Sequence, residues 1–238
     1  MAGAYSTDGY SDRPKWCDSM DQNSKQGTNG NSEAEGAAGF FPLDRFNAFS
    51  DGVFAIVITL LVLELPVPPE GAPVLSALAA SWLDFLGYAI SFAFVGGIWI
   101  SHAGLTKYMK RGDAVSFRLN LVLLLFVALL PFTTHLMVTH TEAADASAAV
   151  AIYGVNLFVV GSLITALLYY AAHDRHLVVA DIADDIVSRA YRQRRVYLIL
   201  TALSVVVALF APLVAVAAYI TLAVAFLIQP LFGLRRRH

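Results

Sequence analysis

From Phe46 onward the chain alternates between long apolar runs and short polar breaks. Six runs are candidates to cross a bilayer, at roughly 46–65, 78–101, 116–138, 148–172, 196–211 and 213–232. A crossing helix needs about 20 predominantly apolar residues at a rise of about 1.5 Å each, and the first four runs meet that length. The last two share a single apolar stretch from Val196 to Phe232, too long for one crossing. Pro212 lies near its middle and removes a helical hydrogen bond. A tight helical hairpin is therefore predicted there, with the fifth helix the shortest.

The charges orient these runs. Of the 16 Lys and Arg residues, four precede the first span, four lie in 102–118, five in 173–195 and three after the last span. The segments 66–77 and 139–147 and the turn near Pro212 have none. Cations confined to alternate sides are the positive-inside pattern, so both termini and the loops 102–118 and 173–195 are expected to be cytoplasmic. The same alternation supports a break at Pro212, because one long final helix would put Arg235, Arg236 and Arg237 outside. The expected fold class is an all-α membrane protein with six transmembrane helices.

Composition adds a boundary. The chain is 58% hydrophobic and 14% charged, where a soluble domain carries about a quarter charged residues. Residues 1–40 are instead rich in Ser, Gly, Asn and Asp without apolar periodicity, and read as a disordered cytoplasmic tail ahead of a membrane domain over 41–238. They have no apolar core behind a basic start and do not read as a signal peptide. Cys17 is the single cysteine, which excludes an intrachain disulfide and a cysteine metal site. The basic residues are spread over short loops and give no indication of nucleic acid. No G-x-S-x-G, H-E-x-x-H or paired catalytic carboxylates occur, so the chain does not read as an enzyme. His173, Asp174 and His176 form a bare H-x-x-H that fits a solvated loop better than a metal site.

The first run carries the chemistry. Asp51 lies about one and a half turns into the membrane from Arg45, where an ionisable side chain is costly and needs a role or partners. At 100° per residue, Phe49, Gly52, Ile56, Thr59, Leu60 and Leu63 share one stripe. Asp51 is about 140° from Ile56, on another face. If the stripe lined a pore, Asp51 would point back into the protein, towards partners among Arg45, Ser50, Trp99, His102 or Asn120. Glu64 follows near the outer end, either as a cation attractor or as an exposed helix end.

The run Arg45…Phe49-Ser50-Asp51-Gly52-Val53-Phe54-Ala55-Ile56…Thr59-Leu60-Leu61-Val62-Leu63 resembles the signature of the transmembrane protein 175 family of potassium channels. There an arginine is followed, after a short gap, by Phe-Ser-Asp and an apolar helix. The pair Trp99…His102, six spans and an inward N-terminus extend the likeness over residues 45–234. The resemblance implies a single-repeat, prokaryotic type of subunit that forms a homotetramer in the cell membrane. It also implies passage of K+ and other monovalent cations with no bound cofactor. Ile56, Leu60 and Leu63 would then form the pore constriction, with Thr59 as a hydroxyl ring. Arg45, Ser50, Asp51, Trp99 and His102 would form a structural polar network. No T-V-G-Y-G stretch is present, so a filter of stacked backbone carbonyls is not indicated.

The alternative from another class is a proton-coupled secondary transporter using Asp51 and His102. Discontinuous helices, expected at a carrier's substrate site, are not evident from the isolated Gly52, Gly96-Gly97 and Pro131. Other polar features have structural readings: Gly96 and Gly97 for close helix packing, and Trp82, Tyr88, Tyr169, Tyr170, His135 and His140 for interfacial contacts.

Overall fold

The computed structural model describes residues 40–140, 144–173, 177–178 and 184–234. The expected tail up to Gly39, with Cys17, lies outside these residues, as do Asp174, His176 and Arg235 to Arg237. The chain divides into two units, Met1–Phe40 and Phe41–His238, and the helices all belong to the second. In order they are α1 (Leu43–Leu63), α2 (Val74–Ala80), α3 (Trp82–Thr106), α4 (Ala114–Ala128), α5 (Leu130–His140), α6 (Ala146–Ala172), α7 (Asp184–Ala208) and α8 (Pro212–Leu234).

Among the described residues four rods are long and apolar enough to cross a membrane: α1, α3, the run Ala114–His140 that joins α4 to α5, and α6. The first half of α7 carries Arg189, Arg192, Arg194 and Arg195, and the helix becomes predominantly apolar only from Val196. It ends at Ala208, and Pro212 opens α8, so the break expected in the last apolar stretch is present.

Local chemistry sets the boundaries. Pro42, extended at φ −60°, precedes α1, and Asp44 in its first turn complements the helix dipole. Pro66 biases Leu65 away from helical geometry, and Gly71 turns the connecting loop at φ +83°. Asp113 caps α4 reciprocally: its Oδ1 accepts from the Ser116 N–H at 2.9 Å, and its own N–H donates to Ser116 Oγ at 2.9 Å. The Tyr170 hydroxyl of α6 donates to the other carboxylate oxygen at 2.5 Å, tying α6 to the start of α4.

Two interruptions differ from the uniform spans expected. The second run splits at Ser81 into α2 and α3, and the Ser81 hydroxyl donates to the Ala77 carbonyl. Such back-bonding competes with the helix ladder. The third run breaks at Leu129, two residues before Pro131, because proline has no N–H for the Val127 carbonyl and its ring crowds that oxygen.

The core lies among α3, α4, α5 and α6, where Phe94, Val95, Leu123, Leu130, Tyr153 and Leu157 are fully buried. Polar bonds fix the register. Thr134 donates to the Leu130 carbonyl, so Ser91 Oγ, 2.7 Å away, donates to Thr134 and accepts from the Tyr153 hydroxyl at 2.9 Å. At the α3–α4 end, the Lys110 N–H donates to the Leu177 carbonyl at 2.7 Å, with Met109, Leu177 and Val178 buried beneath.

Of the glycine pair, only the second lies at a close approach. A Cβ on Gly97 would run into the Phe226 ring of α8, whereas one on Gly96 would meet open space. Between helices in lipid, where packing replaces the hydrophobic effect, that clash is costly. Gly97→Ala is expected to destabilise by about 1–3 kcal/mol, read as a lower unfolding midpoint in detergent. Gly96→Ala should leave the midpoint unchanged, and equal shifts from both would refute the packing account.

Candidate functional site

The α1 helix has two unlike sides. Phe46, Ser50, Phe54, Val57 and Leu61 are buried against the rest of the chain, and their spacings of three and four residues make one stripe. The predicted stripe is turned away from the bundle: Ile56 is 60% exposed, Leu60 41% and Leu63 74%, with Phe49, Gly52 and Thr59 also exposed. Of the four apolar rods α1 is the least buried, with 28% of its most apolar window covered against 44–56% for the others. A helix so apolar and so little covered by its own chain meets lipid or another chain.

The buried side ends in a polar relay whose direction is fixed. The Phe46 carbonyl can only accept, so Ser50 Oγ donates to it at 2.9 Å. Ser50 then accepts from Asn120 Nδ2 at 2.8 Å. That turns Asn120 Oδ1 towards His102 Nε2, 2.9 Å away, and assigns the proton to that nitrogen. Ser50, His102 and Asn120 are all buried. The His102 ring stacks on Phe46 at 5.7 Å and 8°, and lies 5.7 Å from Phe54. The relay thereby holds α1 to both α3 and α4.

Asp51 is placed differently from the expectation. It is exposed at the edge of α1 instead of pointing into the core, because the inward stripe is centred on Ser50 and the next residue is turned by about 100°. One foreseen partner holds: Trp99 Nε1 donates to Asp51 Oδ1 at 2.8 Å. Of the five residues of the expected network, Ser50 and His102 belong to the buried relay, joined by Asn120, Asp51 and Trp99 form an exposed pair, and Arg45 is in neither. Arg45 is exposed at the start of α1 and has no hydrogen bond or ion pair among the described residues. Asp51 and His102, the pair required by a proton-coupled carrier, are engaged with different partners, Trp99 and Asn120.

The Thr59 hydroxyl donates to the Ile56 carbonyl at 2.8 Å. Its proton is thus turned onto the helix, and its lone pairs are left on the exposed side. At the far end of the stripe, Glu64 Oε2 lies 3.2 Å from His135 Nδ1. The sequence placed both residues at this end, but pattern alone gave no reason to pair them. Among the described residues no cluster of three or more metal-ligating side chains occurs.

Comparison with known proteins bears on this geometry. The family model described as the endosomal/lysosomal potassium channel TMEM175 matches residues 45–131, a range that includes every residue of the stripe and of the relay. A protein of Streptomyces collinus named a potassium channel is 35% identical over 136 residues, covering 56% of this chain and 66% of that one. A potassium channel of Chamaesiphon minutus is 33% identical over 156 residues, covering 62% of this chain and 76% of its own length. The crystal structure of a lysosomal potassium-selective channel TMEM175 homologue from Chamaesiphon minutus superposes with a TM-score of 0.70 at 29% identity, over 78% of this chain and 96% of that one. With residues 45–131 matched by the family model, a relative 33% identical over 76% of its length and helices superposing on a solved homologue, this chain belongs to the TMEM175 family.

Proposed function

We propose that the chain is one subunit of a homotetrameric, potassium-permeable channel whose α1 helices surround a central pore. It is a multi-pass membrane protein; the finer reading is six crossings, with α7 and α8 as the last two and both termini cytoplasmic. A prokaryotic plasma membrane is the compartment in keeping with the bacterial relatives. The observation that carries the proposal is the uncovered stripe of Ile56, Thr59, Leu60 and Leu63, on the least buried of the four apolar rods. The names of the bacterial relatives supply the ion. The carrier alternative has no support from these relatives.

The mechanism follows from the stripe. Four copies of Ile56, Leu60 and Leu63 would make an apolar neck that excludes water when narrow and conducts when wide. Potassium gives up part of its hydration shell more cheaply than sodium, so such a neck favours it. The outward lone pairs of Thr59 can replace part of that water. Ser50 and His102 through the buried relay, and Asp51 and Trp99 through their exposed bond, act as positioning residues that set the rotation of α1. Permeant K+ needs no resident cofactor, and conduction needs no catalytic group.

Purified protein reconstituted into a planar bilayer tests this reading. Potassium current is expected, and a verified, oriented preparation carrying no alkali-cation current would refute it. Thr59→Val, which keeps the shape and removes the oxygen, is expected to lower the potassium-to-sodium permeability ratio about two- to tenfold. Reversal potentials in mixed salts measure that ratio.

A further inference from the structure

The ends of α3, α5 and α8 nearest Trp82, His140 and Pro212 do not close on one another. Between them lies a cavity of about 290 Å³, lined by Trp82, Leu86 and Ile90 of α3, Met137 of α5, and Leu213 and Ile220 of α8. Apart from the Trp82 indole nitrogen the side chains lining it are apolar. An ordered water needs two to four polar partners, and apolar cavities stay dry. From Trp82 to Ile90 the slot runs eight residues along α3, about 12 Å at helical rise. One leaflet contributes about half of the roughly 30 Å hydrocarbon core, so the slot is nearly as deep as a leaflet.

We propose that this cavity is a binding slot for one acyl chain of a membrane phospholipid. Its mouth is continuous with the apolar surface that a multi-pass protein turns to lipid, since Leu213 is 66% exposed, Val214 59% and Trp82 58%. Trp82 stands at the entrance, where an amphipathic ring suits the headgroup boundary. A second copy is the less suitable occupant. The α1 helix packs on α3, α4 and α5, whereas α8 packs on α3, α6 and α7. The slot therefore lies on a different side of α3 from the helix whose stripe seeks partners. The inference rests on the chain being embedded in lipid and not on its conducting ions.

Photolabelling tests it on the full chain, reconstituted into phosphatidylcholine vesicles that carry a diazirine within the acyl chain. Adducts mapped by mass spectrometry are expected on Met137 or Ile220, and also on Leu203 of α7, an exposed position outside the slot. Ala217, exposed on α8 and part of the lining, allows the slot to be filled. Ala217→Phe should reduce the slot adducts about tenfold while leaving those on Leu203 unchanged. Leu213→Trp at the mouth provides a second filled slot should the first variant fail to assemble. Labelling of Leu203 without labelling of the slot would overturn the proposal, as would slot labelling that both variants leave intact. Because the readout is covalent labelling, absence of ion current would refute the channel reading and leave this one standing.

Discussion

Replacing Ile56 by asparagine is expected to raise single-channel potassium conductance severalfold. Ile56 is 60% exposed within its own subunit and lies at the middle of the stripe that leads from Phe49 to Leu63. In a tetramer the substitution places four amides in a ring of hydrocarbon. An apolar neck resists ions because it cannot hold a continuous water column. Each amide offers two donors and an acceptor, enough to keep water in the narrowest part. Lowering the barrier by about 1.4 kcal/mol is enough for a tenfold increase, well within what several new hydrogen bonds to water supply. The control is Val62→Asn, on the same helix and also exposed, but turned from Ile56 by about 120°. Planar-bilayer recordings should show the increase for Ile56→Asn and none for Val62→Asn. Unchanged conductance in the first variant would remove Ile56 from the gate; an increase in both would mean that α1 has been loosened as a whole.

Periodicity reports which residues share a side, and that was enough to find the stripe. Phe49, Ile56, Thr59, Leu60 and Leu63 fall together from helical geometry alone, and the structure leaves all of them uncovered. The break before Pro212 was also readable, because proline and the charge alternation pointed to the same place. The inward face was harder to read. Phe54, Val57 and Leu61 are as apolar as their outward neighbours, so hydropathy cannot distinguish helix packing from exposure in a membrane. The position of Asp51 illustrates the limit: its angle to Ile56 was right, yet its exposure depended on where α3 and α4 come to lie. Ser81 and Leu129 are not strong breakers, and the interruptions there come from a hydroxyl bonding backwards and from the proline two residues on.

Asn120→Leu is expected to be among the most damaging substitutions in the protein despite being well removed from the stripe. Asn120 bridges α1 and α3 from α4, giving to Ser50 Oγ at 2.8 Å and accepting from His102 Nε2 at 2.9 Å. Leucine keeps the branching and the number of heavy atoms, though its methyl groups are bulkier than the amide, so the change removes the bonds without opening a cavity. Ser50 keeps its bond to the Phe46 carbonyl, but His102 is left with a buried N–H and no acceptor, at a cost of about 1–3 kcal/mol. No water is at hand in lipid to relieve that group. The expected result is a lower unfolding midpoint together with reduced conductance, because the stripe is aimed by the face that the relay anchors. The exposed Asp51–Trp99 bond should matter less, and Trp99→Phe should cost no more than about 1 kcal/mol. His102→Leu combined with Asn120→Leu removes donor and acceptor together, so the double variant should be more stable than the sum of the two single losses implies, by about 0.5–3 kcal/mol. Strict additivity of the three midpoints would show that the two residues do not act through each other, and the aiming of α1 would then have to come from packing alone.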